Sequence, residues 1–303
     1  MSDSVAERSN EAFKERRIRA VKNDLDSGAS LLARKALADL IDYAEECQTD
    51  TAQGLYHELM NLSESLRLAR PSMAALESAM LRWQEKMPED VSHWSLGATR
   101  ETAVEVSEQL ERAMEDAQRN AVQALVDVLK PGVTLMTHSC SSSVMALFKR
   151  LHDEGKAFRA IITESQPGME GRKLARHLDK LGVETLYITD AQMGNFVMQA
   201  DRVIVGADSL LRDGTLVNKA GTKLLALTAQ DAGVPFVVLA DSFKHSASLP
   251  EDVILEAMPE DELDLPGLHH VEAHNIYFDL TPGRLIDVWV DEYGPSTQFK
   301  SRR

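Results

Sequence analysis

The chain has 303 residues, and its 33 Lys and Arg against 48 Asp and Glu give a formal net charge of −15. Hydrophobic residues make up 44% and charged residues 27%, which is the composition of a globular protein and excludes a disordered or fibrous one. Such an acidic chain is a poor general partner for nucleic acid or an anionic membrane, because a phosphate backbone requires a basic face. A small phosphate ligand is not excluded, since a few cationic side chains and backbone N–H groups can hold one in a cleft.

The two cysteines, Cys47 and Cys140, lie far apart and form no CxxC pair. Their spacing excludes a disulfide framework or a zinc site and favours a reducing compartment. We expect no signal peptide, because the N-terminal segment lacks an apolar core. The most apolar stretch, Val234–Ala240, is far shorter than the roughly 20 residues of a membrane span. The sequence therefore predicts a cytoplasmic protein that does not insert into membranes.

Residues 1–129 are predicted to form a helical domain. Apolar residues in the stretch 99–130 recur at steps of three and four, which is one face of a long amphipathic helix. Leu31–Cys47 and Leu55–Ala69 have the same period. Arg70-Pro71 marks a break before another helix.

Residues 130–303 are predicted to form an α/β domain. Short apolar runs alternate there with helical stretches, which is the pattern of a parallel sheet covered on both faces. The predicted strands are Val133–Met136, Phe158–Ile162, Thr185–Ile188, Arg202–Val205 and Pro235–Leu239. Ligands of such sheets bind beyond the carboxyl ends of the strands, so the residues that follow each run are the candidate site.

Polar side chains follow the first run. Ser139, Cys140 and Ser141 stand between this strand and the next predicted helix. Hydroxyls and a thiol beside free helix N–H groups can form an anion cradle, and serines there can equally be ordinary helix N-caps. Both interpretations stay open on this segment alone.

Charged side chains follow two other runs. Asp208 comes after the fourth strand and two small residues, and Lys244 follows the fifth strand. Asn218 and Lys219 are predicted to open a helix, where an ammonium group is unfavourable unless an anion is present. With the thiol of Cys140, these groups offer a proton-transfer carboxylate, a thiol acid or base, and cations for a phosphate.

Several segments, in the same order along the chain, resemble a known superfamily. It comprises the alpha, beta and delta regulatory subunits of translation initiation factor 2B, ribose-1,5-bisphosphate isomerase and methylthioribose-1-phosphate isomerase. The segments are Ala69–Leu76, Thr137–Val144, Thr163–Ala175, Val203–Thr222, Val234–Ser246 and Phe278–Asp287. The resemblance covers most of the chain and implies an N-terminal helical domain followed by a Rossmann-like parallel-sheet domain. It also implies a homodimer or a higher homo-oligomer.

The resemblance implies a site for a small phosphorylated sugar, with neither a metal nor another cofactor. The isomerases of the superfamily use a cysteine and an aspartate across the sugar C1–C2 bond, and the aspartate corresponds to Asp208. Their substrate-binding positions correspond here to Gly28, Ala29, Arg70, Ser141, Gln166, Asn218, Lys219 and Lys244.

Three positions depart from the isomerase pattern. The isomerase cysteine corresponds to Ser139, with Cys140 one position later. The Arg-Gly-Ala phosphate loop has Ser27 where its arginine would stand. Gln166 occupies a position where isomerases have arginine and the alpha regulatory subunit has glutamine. Asp208, in contrast, is the isomerase form.

Two functions therefore stay open. The first is a metal-independent aldose–ketose isomerase, in which Asp208 works with Cys140 or with the Ser139 hydroxyl. We expect a helix N-terminus to lower the pKa of the Cys140 thiol, which would help that role. The second is a non-catalytic regulatory subunit, like translation initiation factor 2B alpha, which senses a sugar phosphate or nucleotide and associates with partner subunits.

Overall fold

The computed structural model of the chain describes residues 3–24 and 27–301. The chain divides into two compact units, Met1–Asp116 and Ala117–Arg303. The helices give way to strands between Val128 and Val133, next to the predicted domain boundary at residues 129/130. The compact units divide earlier, inside the last long helix of the helical half.

The first unit is built from amphipathic helices. They are α1 (Asp3–Asn23), α2 (Ala29–Glu46), α3 (Ala52–Arg67), α4 (Ala74–Lys86) and the first part of α5 (Leu96–Val128). The predicted helices therefore form, with ends that differ by a few residues. Trp83 of α4 is fully buried, and its indole N–H donates to Ser107 Oγ of α5 at 2.9 Å, so this large side chain is packed without an unpaired donor.

The second unit contains a seven-stranded sheet with the order β10-β9-β7-β4-β1-β2-β3. Its strands are β1 (Val133–Thr137), β2 (Phe158–Thr163), β3 (Thr185–Ile188), β4 (Arg202–Val205), β7 (Phe236–Leu239), β9 (Val288–Asp291) and β10 (Gly294–Ser296). All neighbours pair in parallel except β9 with β10. The predicted strands and the predicted α/β fold class are confirmed.

Both faces of this sheet are covered by helices. Leu135 and Ile204 pack on one face with α6 (Ser142–Asp153), α7 (Gly171–Lys180) and the end of α5. Met136 and Val203 pack on the other face with α8 (Met193–Phe196) and α9 (Thr222–Ala232). Successive residues of a strand point to opposite faces, so a doubly covered sheet requires the continuous apolar runs seen in the sequence.

A second, antiparallel sheet corrects one prediction. It has the order β5-β6-β8, with β5 (Ser209–Leu210), β6 (Leu216–Lys219) and β8 (Phe278–Thr281). The prediction that Asn218 and Lys219 open a helix is wrong, because both residues end strand β6 and α9 begins only at Thr222. β6 is held by backbone pairing with β8, a partner far away in the sequence.

The direction in which strands are added reverses between β1 and β4. From β1 the chain adds β2 and β3 on one side, and β4, β7 and β9 follow on the other. Such a reversal opens a crevice at the carboxyl ends of the two strands, because their connections run to opposite faces of the sheet. This crevice is where the candidate site is expected.

Candidate functional site

The segment after β1 leads directly into α6. Ser139 has a φ of +67°, a left-handed conformation that non-glycine residues adopt rarely. Ser141 is the N-cap of α6, and its side chain makes no capping hydrogen bond there. A strained residue held at a strand end is a common feature of functional sites, since the surrounding contacts must hold it in place.

Those surrounding contacts form a chain of hydrogen bonds. His138 Nε2 lies 2.8 Å from the Ala220 carbonyl, which can only accept, so this nitrogen carries the hydrogen. His138 Nδ1 therefore accepts from the Thr163 hydroxyl at 2.7 Å in the neutral ring. Thr163 Oγ1 lies 3.0 Å from Ser165 Oγ, and Ser165 Oγ accepts the backbone N–H of Ser139 at 2.8 Å. The chain ties the loops after β1, β2 and β6 together.

The Cys140 thiol is half-buried, and its Sγ lies 3.4 Å from Met145 Sδ. Burial raises the pKa of the Cys140 thiol; the nearby Lys173 lowers it and Glu170 raises it further. The prediction that the pKa of this thiol is lowered is wrong, because loss of solvent around the thiolate outweighs the effect of Lys173. Cys140 is thus a protonated thiol at neutral pH.

Asp208 lies on the neighbouring side of the crevice. It follows β4 through Gly206 and Ala207, is half-buried, and its backbone N–H donates to the Val217 carbonyl of β6 at 3.0 Å. Gly206 lies against Ser141, so the β4 and β1 loops meet at the reversal point. Asp208 also lies close enough to Lys244 to raise the pKa of that lysine, which shows that the two side chains share one region.

Lys244 is buried in the loop after β7. Burial lowers the pKa of its ammonium group, while Asp241 and Asp208 raise it. Asp241 is also buried, and burial raises its pKa while Lys244 lowers it. Each charge offsets part of the desolvation cost of the other, so a lysine can remain buried in this loop.

Asn218 and Lys219 end β6 beside the start of α9. Asn218 Nδ2 donates to Thr222 Oγ1 at 3.0 Å, and this hydroxyl donates to the Lys219 carbonyl at 2.6 Å. Asp279 of β8 accepts backbone N–H groups of Gly221 and Lys223, at 2.8 and 3.0 Å, and so caps α9. The side chain of Lys219 is 4% exposed, and its Nζ lies 2.7 Å from Glu170 Oε1.

Gln166 lies in the loop after β2, and its side chain is exposed. Its backbone N–H donates to Asp190 Oδ2 at 2.8 Å, and the N–H of Ser165 donates to the other oxygen of the same carboxylate at 2.9 Å. The peptide bond from Gln166 to Pro167 is cis. The loop is therefore anchored through its backbone, while the Gln166 amide stays in solvent.

The remaining predicted residues lie in the first unit. Gly28 is the N-cap of α2, and Ala29 is its first residue. Arg70 is buried, and its Nη1 donates to the Asp24 carbonyl at 2.6 Å. Arg70 thus contacts the backbone of Asp24, which is close in the sequence to the start of α2.

The functional candidates that sequence reasoning missed are Glu170 and Tyr277. Glu170 lies within Thr163–Ala175, one of the segments that resemble the superfamily. The sequence signal for it is a carboxylate that follows a predicted strand and directly precedes a predicted helix. Tyr277 has its ring centroid 3.8 Å from Lys219 Nζ, a contact that no local pattern indicates.

Within residues 3–24 and 27–301, no cluster of three or more His, Cys, Asp or Glu side chains could hold a metal ion. No helix in this part of the chain is both long and apolar enough for a membrane span.

Comparison with known proteins identifies the family. Residues 26–298 match the Initiation factor 2 subunit family, and the chain belongs to that family. It is similar to the "putative translation initiation factor eIF-2B subunit 2-like" protein of Pyrococcus horikoshii, with 35% identity over 91% of this chain and 94% of that protein. It is also similar to the ribose 1,5-bisphosphate isomerase of Archaeoglobus fulgidus, with 31% identity over 88% of this chain and 84% of the other.

A solved structure has the same fold. It is the crystal structure of the Pyrococcus horikoshii translation initiation factor eIF-2B, with a TM-score of 0.81 and 32% identity, over 94% of this chain and 96% of that one. The resemblance seen in the sequence is thereby confirmed. The family holds proteins named as isomerases beside proteins named as initiation factors.

Proposed function

We propose that the chain binds a small phosphorylated sugar in the crevice between β1 and β4. The observation that carries this proposal is the set of groups at the carboxyl ends of the strands. A thiol at Cys140 and a carboxylate at Asp208 follow the two strands at the reversal point, the buried Lys219 ends β6, and the buried Lys244 follows β7. Cations together with a proton-transfer pair fit a phosphorylated sugar, and the relatives named ribose 1,5-bisphosphate isomerase support this class of ligand.

Within such a site, the chain would catalyse an aldose–ketose isomerisation. For a 1-phosphorylated furanose, that reaction moves the hydrogen of C2 to C1, breaks the bond between C1 and the ring oxygen, and moves the proton of the C2 hydroxyl to that ring oxygen as C2 becomes a carbonyl. It therefore needs a base and an acid. The Asp208 carboxylate is the base, because it is half-exposed and can approach the sugar. Burial raises the pKa of the Cys140 thiol, which suits a proton donor better than a nucleophile. Lys219 and Lys244 would hold the phosphate, and Asn218 a sugar hydroxyl.

Turnover tests this proposal. The protein is incubated with ribose 1,5-bisphosphate and with methylthioribose 1-phosphate, and the ketose product is followed by NMR. Asp208→Asn and Cys140→Ala are expected to reduce turnover at least about a hundredfold, in the usual range for general acid–base groups. Asp213→Asn, in the β5–β6 turn where the carboxylate accepts from Thr215 N–H, is the matched control. A wild-type protein that converts neither sugar would exclude this activity on both.

One observation favours a second function, which is sensing without catalysis. Ser139 stands where the isomerases have their thiol, while Cys140 is packed against Met145. The initiation-factor name of the Pyrococcus relative agrees with this alternative. A sensor would be stabilised by sugar phosphates or nucleoside monophosphates without converting them, by about 2.7 kcal/mol at a hundred times the Kd. Thermal-shift titrations beside the turnover assay separate the two functions. The same titrations on Ser141→Ala and Gln166→Ala test the other proposed ligand contacts of the second unit.

A further inference from the structure

Glu170 places a carboxylate directly on one of the lysines proposed to hold the phosphate. It stands at the N-cap of α7, where its side chain makes no capping bond. Oε1 lies 2.7 Å from Lys219 Nζ, and the carboxylate folds over Gly168, whose added Cβ would lie 2.8 Å from Oε1. Glu170 also acts on the Cys140 thiol, whose pKa it raises. The carboxylate therefore lies within the crevice.

Lys219 itself is fixed. Its side chain is almost fully buried, and the ammonium group lies over the face of Tyr277 at 3.8 Å from the ring centroid. A cation between an aromatic face and a carboxylate is held from two sides. An anion must therefore enter the site to reach Lys219, because the buried ammonium group cannot move out towards it.

Glu170 is held much less firmly. Only Oε1 is in the ion pair; Oε2 is buried, with no hydrogen-bond partner among the residues that the structure describes. The Glu170 side chain is 30% exposed, so it borders solvent. A buried carboxylate oxygen without a donor is unfavourable, and this makes the bound position of Glu170 easier to leave.

We propose that Glu170 is an internal competitor of the phosphate, occupying Lys219 in the empty site and leaving it when the ligand binds. This inference rests on the proposed function, because it assumes that a phosphate binds at Lys219. A phosphate and a carboxylate on one ammonium group repel each other at short range in a region of low dielectric. A ligand therefore binds at Lys219 only if it displaces the Glu170 carboxylate. A phosphorylated ligand binds strongly enough to do so, and an anion that binds Lys219 more weakly does not.

The test is a calorimetric titration of inorganic phosphate and of ribose 5-phosphate into the wild type and Glu170→Gln. The amide keeps the size of the side chain and removes its charge, so the variant should bind both ligands about tenfold more tightly or better. Glu154→Gln is the control: this carboxylate at the far end of α6 pairs with Arg150 at 2.9 Å, and its loss changes the net charge equally. Its affinities should stay within about twofold of the wild type, since exposed pairs contribute little.

A third variant, Lys219→Gln, separates the two levels of the proposal. If Lys219→Gln loses phosphate binding and Glu170→Gln does not tighten it, the phosphate site stands and the competitor role is wrong. If Glu170→Gln weakens sugar-phosphate binding, Glu170 holds the ligand instead, which also overturns the inference. If Lys219→Gln binds phosphate as well as the wild type, the site and the inference both fail. Melting curves without ligand establish that each variant is folded.

Discussion

Gly206 at the end of β4 lies against Ser141 at the start of α6. A Cβ built on Gly206 would lie 2.5 Å from the Ser141 Cβ and closer still to its hydroxyl. β1 and β4 are paired neighbours, so this contact joins their two loops at the point where the strand order reverses. The position of Asp208 relative to the β1 loop thus depends on the absence of a side chain at residue 206.

Gly206→Ala is therefore expected to destabilise the protein by about 1–3 kcal/mol, because overpacking forces the β1 and β4 loops apart. Unfolding by urea, followed by circular dichroism, measures the change. Gly194→Ala is the control, since its Cβ would meet Thr228 at an ordinary 3.6 Å. The double variant Gly206→Ala with Ser141→Gly should regain most of the lost stability. An equal loss in the single and double variants would contradict this account of the contact.

The buried His138 should make the free energy of unfolding depend on pH. Burial lowers the pKa of His138 below its usual 6.5, although Asp190 and the Ala220 carbonyl raise it in part. The unfolded chain therefore takes up a proton near pH 6.5 that the folded chain does not. The free energy of unfolding should decrease as the pH falls below 6.5, with a slope of up to about 1.4 kcal/mol per pH unit from this residue.

Comparison of the wild type with His138→Gln between pH 5 and 8 isolates this contribution. The glutamine variant should be less stable at neutral pH, and the difference should shrink as the pH falls. Nitrogen NMR should show the hydrogen on Nε2 of His138 and an unprotonated Nδ1. A difference in stability that is constant over the pH range would mean that the pKa of His138 is the same in the folded and the unfolded protein, which would contradict this account.

The strands of the large sheet could be predicted because burial on both faces requires continuous apolar runs, which β1, β2, β4 and β7 contain. Strand β6 could not. Its residues Asn218 and Lys219 are polar, and they are buried by β8 and by Tyr277, which follow about sixty residues later. Local propensity is overruled by such distant partners.

Part of the candidate site could also be predicted from local sequence patterns. The rule that ligands bind beyond strand ends located Cys140 and Asp208 without any knowledge of their contacts. The pKa of Cys140 could not be predicted, because it depends on how much solvent the fold removes from the thiol. The position of Glu170 on Lys219 depends equally on the three-dimensional path of the β2–α7 loop.

In the helical unit, Asp39 should make stability depend on pH in the opposite sense. Burial raises the pKa of this carboxyl to about 6, although Arg17 Nη1 lies 3.0 Å away and lowers it. Because the pKa of Asp39 is higher in the folded than in the unfolded chain, protonation of Asp39 stabilises the fold at low pH, and this stabilisation is lost as the pH rises through about 6. Asp39→Asn should therefore gain stability relative to the wild type between pH 5 and 8, by about 1–2 kcal/mol. A pH dependence of stability that is the same in Asp39→Asn and the wild type would contradict this assignment.

The reactivity of Cys140 tests the electrostatics of the crevice directly. Alkylation by iodoacetamide requires the thiolate, so the raised pKa of Cys140 should make its reaction slow at pH 7.5 and faster as the pH rises above the usual cysteine range. Glu170→Gln should speed the reaction, because it removes the carboxylate that raises this pKa. Lys173→Gln should slow it, because it removes the cation that lowers the pKa. Mass spectrometry separates Cys140 from the buried Cys47, which should react only on unfolding. Equal changes in the alkylation rate of the two variants would mean that access of the reagent, and not the charge of the neighbouring side chains, limits the reaction of Cys140.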